Sequence, residues 1–415
     1  MRFVHPSHPG RCVRLAYCLN VHPARTLDEL LRGLAEITAP LRERVAPGRE
    51  FGVGMYLPAQ LAAQLASEPA ALARLRDELE RRDFDAFTYN AFPHGGFGES
   101  GLKARVFEPA WWERARVQYT LDVARLARAL SRNAAGARPI SISTHTGAHV
   151  SAVAPHSRRE RIDQAARAWS EVCRELAHDA ARGRGRLLLA LEPEPDSLLG
   201  SVAELTGGEV AKALAGHARE LSTHLGVCLD ACHAAVMFEE PAASVERSSR
   251  FGAGVAKVQF TSALALREPA RNERGRAALF ALDEPRYLHQ LAARSREGAV
   301  KVAGDLGSAR ERFEAGDPTF REAEEWRCHF HVPVDLEELT ELGLGVTHAH
   351  ADALLDRLLD APDAWPDGEL HVEAETYTWS ILPRAARGAG ELVDGLEREY
   401  RHVLERLALR GWRPQ

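Results

Sequence analysis

A (β/α)8 barrel is the fold class that this 415-residue sequence predicts, on three observations. Short apolar, β-rich runs alternate with longer stretches whose apolar residues recur near every 3.6 positions. Four of the later runs, residues 187–195, 224–233, 255–263 and 368–379, carry Glu192, Asp230, Gln259 and Glu373 near their C-terminal ends. Parallel barrel strands converge on a common centre at that end. The length allows it: roughly 150 residues per domain suggests two or three domains, but one α/β barrel can fill roughly 200 to 250 residues or more.

The first four strands are expected at residues 14–21, 51–57, 86–92 and 139–146. With the four runs above they make eight. Helices are expected at residues 27–41, 59–79, 111–131, 158–181 and 389–409, from their spacing of apolar residues. Breaks such as Arg182-Gly183-Arg184-Gly185 end a helix before the next strand.

One region departs from the alternation. About a hundred residues separate the seventh and eighth strands, too many for an ordinary crossover. A hairpin (residues 285–294 and 299–302), a charged stretch (311–325) and an extra strand (328–334) are expected there. The expectation is one barrel domain spanning residues 1–415, with an insertion over about 265–335 near the barrel mouth.

The chain is 45% hydrophobic and 27% charged, with a formal net charge of -6. No basic surplus points to nucleic acid or an anionic membrane. The first residues lack an apolar signal core, and no run approaches the roughly 18 apolar residues of a membrane span. A bacterial cytoplasmic protein is the expectation. Cys12, Cys18, Cys173, Cys228, Cys232 and Cys328 show no zinc-ribbon spacing and read as buried small hydrophobes. No Gly-x-Gly-x-x-Gly stands between a strand and a helix, and neither a phosphate-binding loop nor a Gly-x-Ser-x-Gly elbow is present.

The chemistry concentrates at the strand ends. Period two puts Ala190, Glu192 and Glu194 on one face of the fifth strand. Asp230 closes the sixth, and His233 follows one turn later. Asp230 also suits the N-cap of the next helix. Gln259 shares a face with Lys257 and Thr261, and its carbonyl oxygen suits a hard cation. Glu373 and Glu375 share a face of the eighth strand, with Tyr377 and Trp379 continuing toward the mouth. His329 and His331 form a His-x-His pair that binds zinc only with partners from elsewhere. Asn20 and His22, Asn90 and His94, and Thr144-His145-Thr146 fall at the ends of early strands and suit a polar pocket. Lys103 and Arg105 read as solvated charges or as holders of an anionic group. Paired carboxylates around a divalent ion can move protons beside a polarised carbonyl.

These residues resemble the xylose isomerase-like TIM-barrel superfamily of sugar isomerases, epimerases and AP endonucleases. The resemblance implies one divalent ion (Mn, Zn, Mg or Co) on Glu192, Asp230, Gln259 and Glu373. The pattern Asp-x-x-His matches Asp230 to His233. Asp367-Gly368 followed by Glu373 favours Glu373 over Glu375 as the ligand.

The chain is also similar, over nearly its whole length, to the metabolite traffic protein EboE family. The similarity lies in Tyr17-Cys18-Leu19-Asn20-Val21-His22-Pro23, Asn90-Ala91-Phe92-Pro93-His94-Gly95, residues 103–111, His329-Phe330-His331-Val332-Pro333 and Glu375-Thr376-Tyr377-Thr378-Trp379. That family implies a place in bacterial ebo clusters linked to metabolite export or a modified cyclitol.

The expected activity is isomerisation or epimerisation of a small polar metabolite, a sugar or cyclitol. Glu192 and Glu373 would act as the proton-transferring pair. Asn20, His22, Asn90, His94, His145, Glu194, His233, Lys257, His331, Glu375 and Trp379 would line the substrate site. Expected partners are that metabolite and other ebo-cluster proteins, with no nucleic acid and no membrane span. A non-catalytic metabolite-binding protein and an AP endonuclease-like phosphodiesterase are the alternatives.

Overall fold

The computed structural model describes residues 1–98, 100–132, 138–217, 219–387 and 390–415. Eight parallel strands close a barrel. They are Cys12–Cys18, Phe51–Tyr56, Phe84–Asn90, Ile140–His145, Leu187–Glu192, Leu225–Asp230, Val255–Phe260 and Glu369–Ala374. Closure is made between the eighth strand and the first, with Leu370 opposite Val13 and Ala374 opposite Tyr17. Every residue of these strands is buried. One face fills the barrel and the other lies under helices, so the runs read as nearly continuous apolar stretches.

The outer helices follow the sequence periodicity with local breaks. Arg158–Ala181 has the expected bounds. The stretch expected as one helix over 59–79 is two, Ala59–Ser67 and Pro69–Arg81. Glu68 between them is extended, and Pro69 starts a helix well but cannot continue one. The stretch 27–41 holds Leu27–Gly33, a π-helical turn Leu34–Thr38, and Ala39–Val45. The last helix runs Leu392–Leu409, and the expected start at Ala389 lies outside the described residues. Among the described residues, no helix is long and apolar enough to cross a membrane.

The strand ends fall earlier than the apolar runs suggest. The fifth strand stops at Glu192 because Pro193 and Pro195 have no N–H to donate to the ladder. The sixth stops at Asp230, whose carboxylate accepts the His233 N–H at 2.9 Å and caps the short helix Ala231–Val236.

No helix follows the seventh strand directly. After Thr261 the chain enters a second, antiparallel sheet of six strands. Ser262–Arg267 and Glu325–Val332 are paired at its centre. The hairpin Leu291–Arg294 with Val300–Ala303 flanks them on one side. Leu344–Val346 and Glu338–Leu339 flank them on the other. This sheet begins at Ser262 and ends at Val346, a wider span than the 265–335 of the sequence expectation. The run read as one strand over 255–263 therefore bends at Thr261. Its hydroxyl donates to Val332 O at 3.0 Å, which holds the end of the long strand over the barrel mouth.

Candidate metal centre

The barrel mouth gathers buried acids from three strand ends and imidazoles from two other elements. Ligand-type oxygens of Glu192, Asp230 and Glu375 lie within 4.8 Å of one another. Asp230, His233 and His331 form a second such group that shares Asp230. All five side chains are buried.

The imidazoles come from separate sources. His233 lies on the first turn of the helix that Asp230 caps. His329 and His331 are two residues apart on Glu325–Val332, so their side chains share a face. Pairing of this strand with Ser262–Arg267 is irregular between Cys328 and Val332. Such irregularities re-aim side chains beside functional sites.

Each imidazole is held through Nδ1. His233 Nδ1 is 3.0 Å from Pro193 O, and His331 Nδ1 is 3.0 Å from Glu375 O. His329 Nδ1 is 2.5 Å from Gln290 Oε1, while Gln290 Nε2 donates to Glu194 Oε1 at 2.9 Å. Since these partners only accept, each Nδ1 carries the proton and each Nε2 presents a lone pair. His329 Nε2 lies 3.1 Å from both His233 Nε2 and His331 Nε2. Asp230 Oδ2 is 3.8 Å from His233 Nε2 and 3.9 Å from His331 Nε2. Burial depresses the His233 pKa to about 3 and that of His331 to about 4. Burial also pushes His329 well below its usual range, as do its imidazole neighbours.

The carboxylates shift the other way. Burial, then Glu375 and Asp230, raise the pKa of Glu192 well above the usual carboxylate range. Burial and Glu373 do the same to Glu375. Glu194 is pushed up to about 8 by burial, against its hydrogen bond from Gln290. Glu192 Oε2 and Asp230 Oδ2 are buried without a hydrogen-bond partner among the described residues. Glu375 Oε1 accepts from the amides of Asn20 at 2.7 Å and Asn90 at 3.3 Å.

Glu373 and Gln259 lie one layer deeper. Lys257 Nζ is 2.5 Å from Glu373 Oε2, and both side chains are wholly buried. Burial works against the Lys257 charge, but Glu373 together with Cys228, Glu375 and Cys18 outweighs it and the pKa is raised. The Glu373 carboxylate occupies space that only a glycine leaves open: a Cβ on Gly54 would fall 1.3 Å from Glu373 Oε1. Gln259 Oε1 faces the Cys228 thiol at 3.5 Å. In the group with Glu192 and Asp230 the acid from the eighth-strand end is Glu375, while Glu373, the acid of the sequence expectation, forms a separate group with Glu375 and Cys18. Period two keeps both on one face, and the sequence alone does not say how deep the layer of ligands lies.

A cavity of about 50 Å³ opens beside the cluster, room for an ion and a few waters. Asn20, Asn90, Glu192, Glu194, His233, His329, His331 and Glu375 line it. Phe97, Tyr287 and Tyr377 pack on one another at 4.8 to 5.3 Å between ring centroids and form an aromatic wall. The remaining expected residues lie elsewhere. His22 is 3.2 Å from Thr38 Oγ1 beneath the first helix. His94 packs on Tyr119 and lines a separate groove. His145 is wedged among Phe92, Phe107 and Trp111. Trp379 packs against Gly395 of the last helix. Lys103 is the exception, lining the same cavity while paired with Asp305 at 2.7 Å, whereas Arg105 is exposed, 3.7 Å from Glu108. Gln290, Tyr287 and Phe97 carry no sequence signal that marks them. They reach the mouth through the second sheet and through the loop after the third strand.

No family model matches the chain, and no curated protein matches it. Solved structures do resemble it. A D-tagatose 3-epimerase-like protein aligns over 96% of this chain and 98% of its own, at 14% identity and TM-score 0.48. A xylose isomerase domain protein from Planctomyces limnophilus covers 86% and 88%, at 14% identity and TM-score 0.44. An IOLI protein with a binding zinc atom covers 60% and 73%, at 12% identity and TM-score 0.35.

Proposed function

We propose that this chain is a divalent-metal-dependent isomerase or epimerase of a small sugar- or cyclitol-like metabolite. One observation carries the reading. Three buried carboxylates from the ends of the fifth, sixth and eighth strands converge on one cavity, with unpartnered oxygens on Glu192 and Asp230. Buried acids of like charge are costly unless a cation compensates them. The donor set suits a hard or borderline ion. Such an ion would polarise a substrate carbonyl or its neighbouring hydroxyl.

The side chains supply the proton transfers. Glu192 takes a proton from the carbon beside the carbonyl, and Glu375 returns one. This replaces the Glu192 and Glu373 pair of the sequence expectation, because Glu373 is committed to Lys257. Burial and the neighbouring acids favour the protonated forms of Glu192 and Glu375, the direction a proton-returning acid needs. Asn20 and Asn90 orient Glu375 through its Oε1. The aromatic wall keeps water from the reacting carbon. Phe97, Leu102 and Tyr287 line the same cavity and supply its apolar contacts.

The similarity to the EboE family supports a place in a metabolite-trafficking cluster, with a cyclitol derivative as one substrate class. The test is solvent deuterium entering the carbon skeleton of keto-sugars and cyclitols with metal-loaded protein. Glu192→Gln should lower turnover by about 10²- to 10⁴-fold while substrate still binds. Tight binding without exchange or turnover would favour a non-catalytic carrier. A second reading, phosphate-ester hydrolysis, is favoured by the three imidazoles on the cavity wall. Release of inorganic phosphate from small phosphoesters separates it from isomerisation.

A further inference from the structure

We propose that the Lys257 ammonium is a built-in cation that takes the place of a metal ion in the lower layer of the mouth. The divalent ion is thereby confined to Glu192, Asp230 and Glu375 above it. The inference deepens the metal reading given above, and it concerns a residue to which that reading gives no part.

The lower layer holds donors that suit an ion. Oxygens of Glu373 and Glu375 and the Cys18 sulfur lie within 4.8 Å of one another, all buried. Glu373 Oε1 has no hydrogen-bond partner among the described residues. Two carboxylates with a thiolate are a donor set for zinc or cobalt.

A positive charge already stands there. Lys257 Nζ is 2.5 Å from Glu373 Oε2, donates to Ser143 Oγ at 3.1 Å and reaches Tyr89 O at 3.5 Å. A carboxylate, a hydroxyl and a backbone carbonyl thus meet the three N–H donors of one ammonium. They belong to the eighth, fourth and third strands, so the lysine of the seventh reaches across the barrel interior. Gln259, two residues further along that strand, faces the Cys228 thiol at 3.5 Å. The expected ligands of the seventh and eighth strands are therefore both engaged within the chain.

An ammonium on a covalent stem differs from a bound ion in two ways. It is present in every molecule and cannot be removed by a chelator. It also repels a second cation on Glu373, because like charges a few ångströms apart interact strongly where water is scarce. Lys257 so decides which of two adjacent donor sets takes metal, and the ion lies one layer nearer the cavity.

The test is cobalt binding, with ligands read by X-ray absorption and by the absorption band of a cobalt–thiolate bond. Cobalt in the native chain should show oxygen and nitrogen ligands and no sulfur. Glu373→Gln should keep the native metal content. Lys257→Met, shown to be folded by circular dichroism, should hold one ion more than the native chain and gain the thiolate band. Adding Cys18→Ser should remove both. Sulfur beside cobalt in the native chain, or loss of its ion on Glu373→Gln, would overturn the proposal, and neither result depends on the Lys257 variant. A folded Lys257→Met with native metal content and no thiolate band would overturn it as well. The metal reading fails separately. An ion absent from the native chain yet bound by Lys257→Met keeps the lysine as the resident cation and removes the ion above it. No ion in either protein overturns both.

Discussion

The two ends of this barrel bury charge in opposite ways. At the floor, Arg14 pairs with Asp85, lies 3.6 Å from Glu369 and packs on the Phe87 ring at 4.0 Å. His371 contacts Ser141 at 2.8 Å and Glu369 at 3.7 Å. At the mouth, Glu192, Asp230 and Glu375 crowd together and face imidazoles held neutral by burial. One strand spans both environments. Along one face of the eighth strand and just beyond it, Glu369, His371, Glu373 and Glu375 rise from floor to mouth. The lower three sit beside Arg14, each other or Lys257, whereas Glu375, held through Oε1 by Asn20 and Asn90, crowds against the acids Glu192 and Asp230. Barrels separate stability from function in this way, with the N-terminal face serving the first and the C-terminal face the second.

The largest test of that contrast is Lys257→Met. It leaves Glu373 charged and alone at the bottom of the mouth, and loss of one partner from a buried pair costs about 3 to 5 kcal/mol. Urea unfolding should show that loss. Adding Glu373→Leu should recover most of it, because the removed pair then leaves no orphan charge. A double variant no more stable than Lys257→Met alone would mean that the Lys257 contribution does not run through Glu373.

The mouth should respond with the opposite sign. Glu192→Gln removes one of three crowded acids, so metal-free protein should gain about 0.5 to 2 kcal/mol, the size of gain common when a functional site is relaxed. The same change should weaken metal binding. If metal-free Glu192→Gln is less stable than the native chain, Glu192 has a structural partner and the two ends of the barrel do not differ as argued.

Much of this contrast was legible in the sequence, and the part that was not has a physical cause. The strand count, the closing strand and Glu192, Asp230 and His233 follow from local patterns: apolar runs, a proline stop, an Asp-x-x-His turn. Depth within the barrel does not. Glu373 and Glu375 have the same alternation, and only the approach of Lys257 and the opening at Gly54 decide which one lies in the lower layer. Lys257 itself looked like a substrate contact because its tie to Glu373 crosses between strands. The convergence of His329 and His331 with His233 depends on how the second sheet folds back over the mouth. That is set by long-range pairing of Ser262–Arg267 with Glu325–Val332. The early histidines show the converse. His22, His94 and His145 sit at strand ends in the sequence, but helices and aromatic rings turn them away from the cavity.

The smallest expected effect lies outside the barrel, on the last helix. His402 Nε2 is 2.9 Å from Asp352 Oδ1 on the helix His348–Leu359. That contact raises the His402 pKa above its usual value, against partial burial. The folded state therefore holds a proton that the unfolded state releases at a lower pH. Its stabilisation is complete below about pH 6.5, the unfolded value, and fades as pH rises through the folded value. His402 is partly open to solvent, so screening limits the pair to less than about 1 kcal/mol. Thermal unfolding from pH 6 to pH 9 should show a shallow fall in the native chain that His402→Gln lacks. A fall of the same depth in both would assign the pH dependence to the buried acids of the mouth instead. The contrast in burial between mouth and surface would then outweigh the one between mouth and floor.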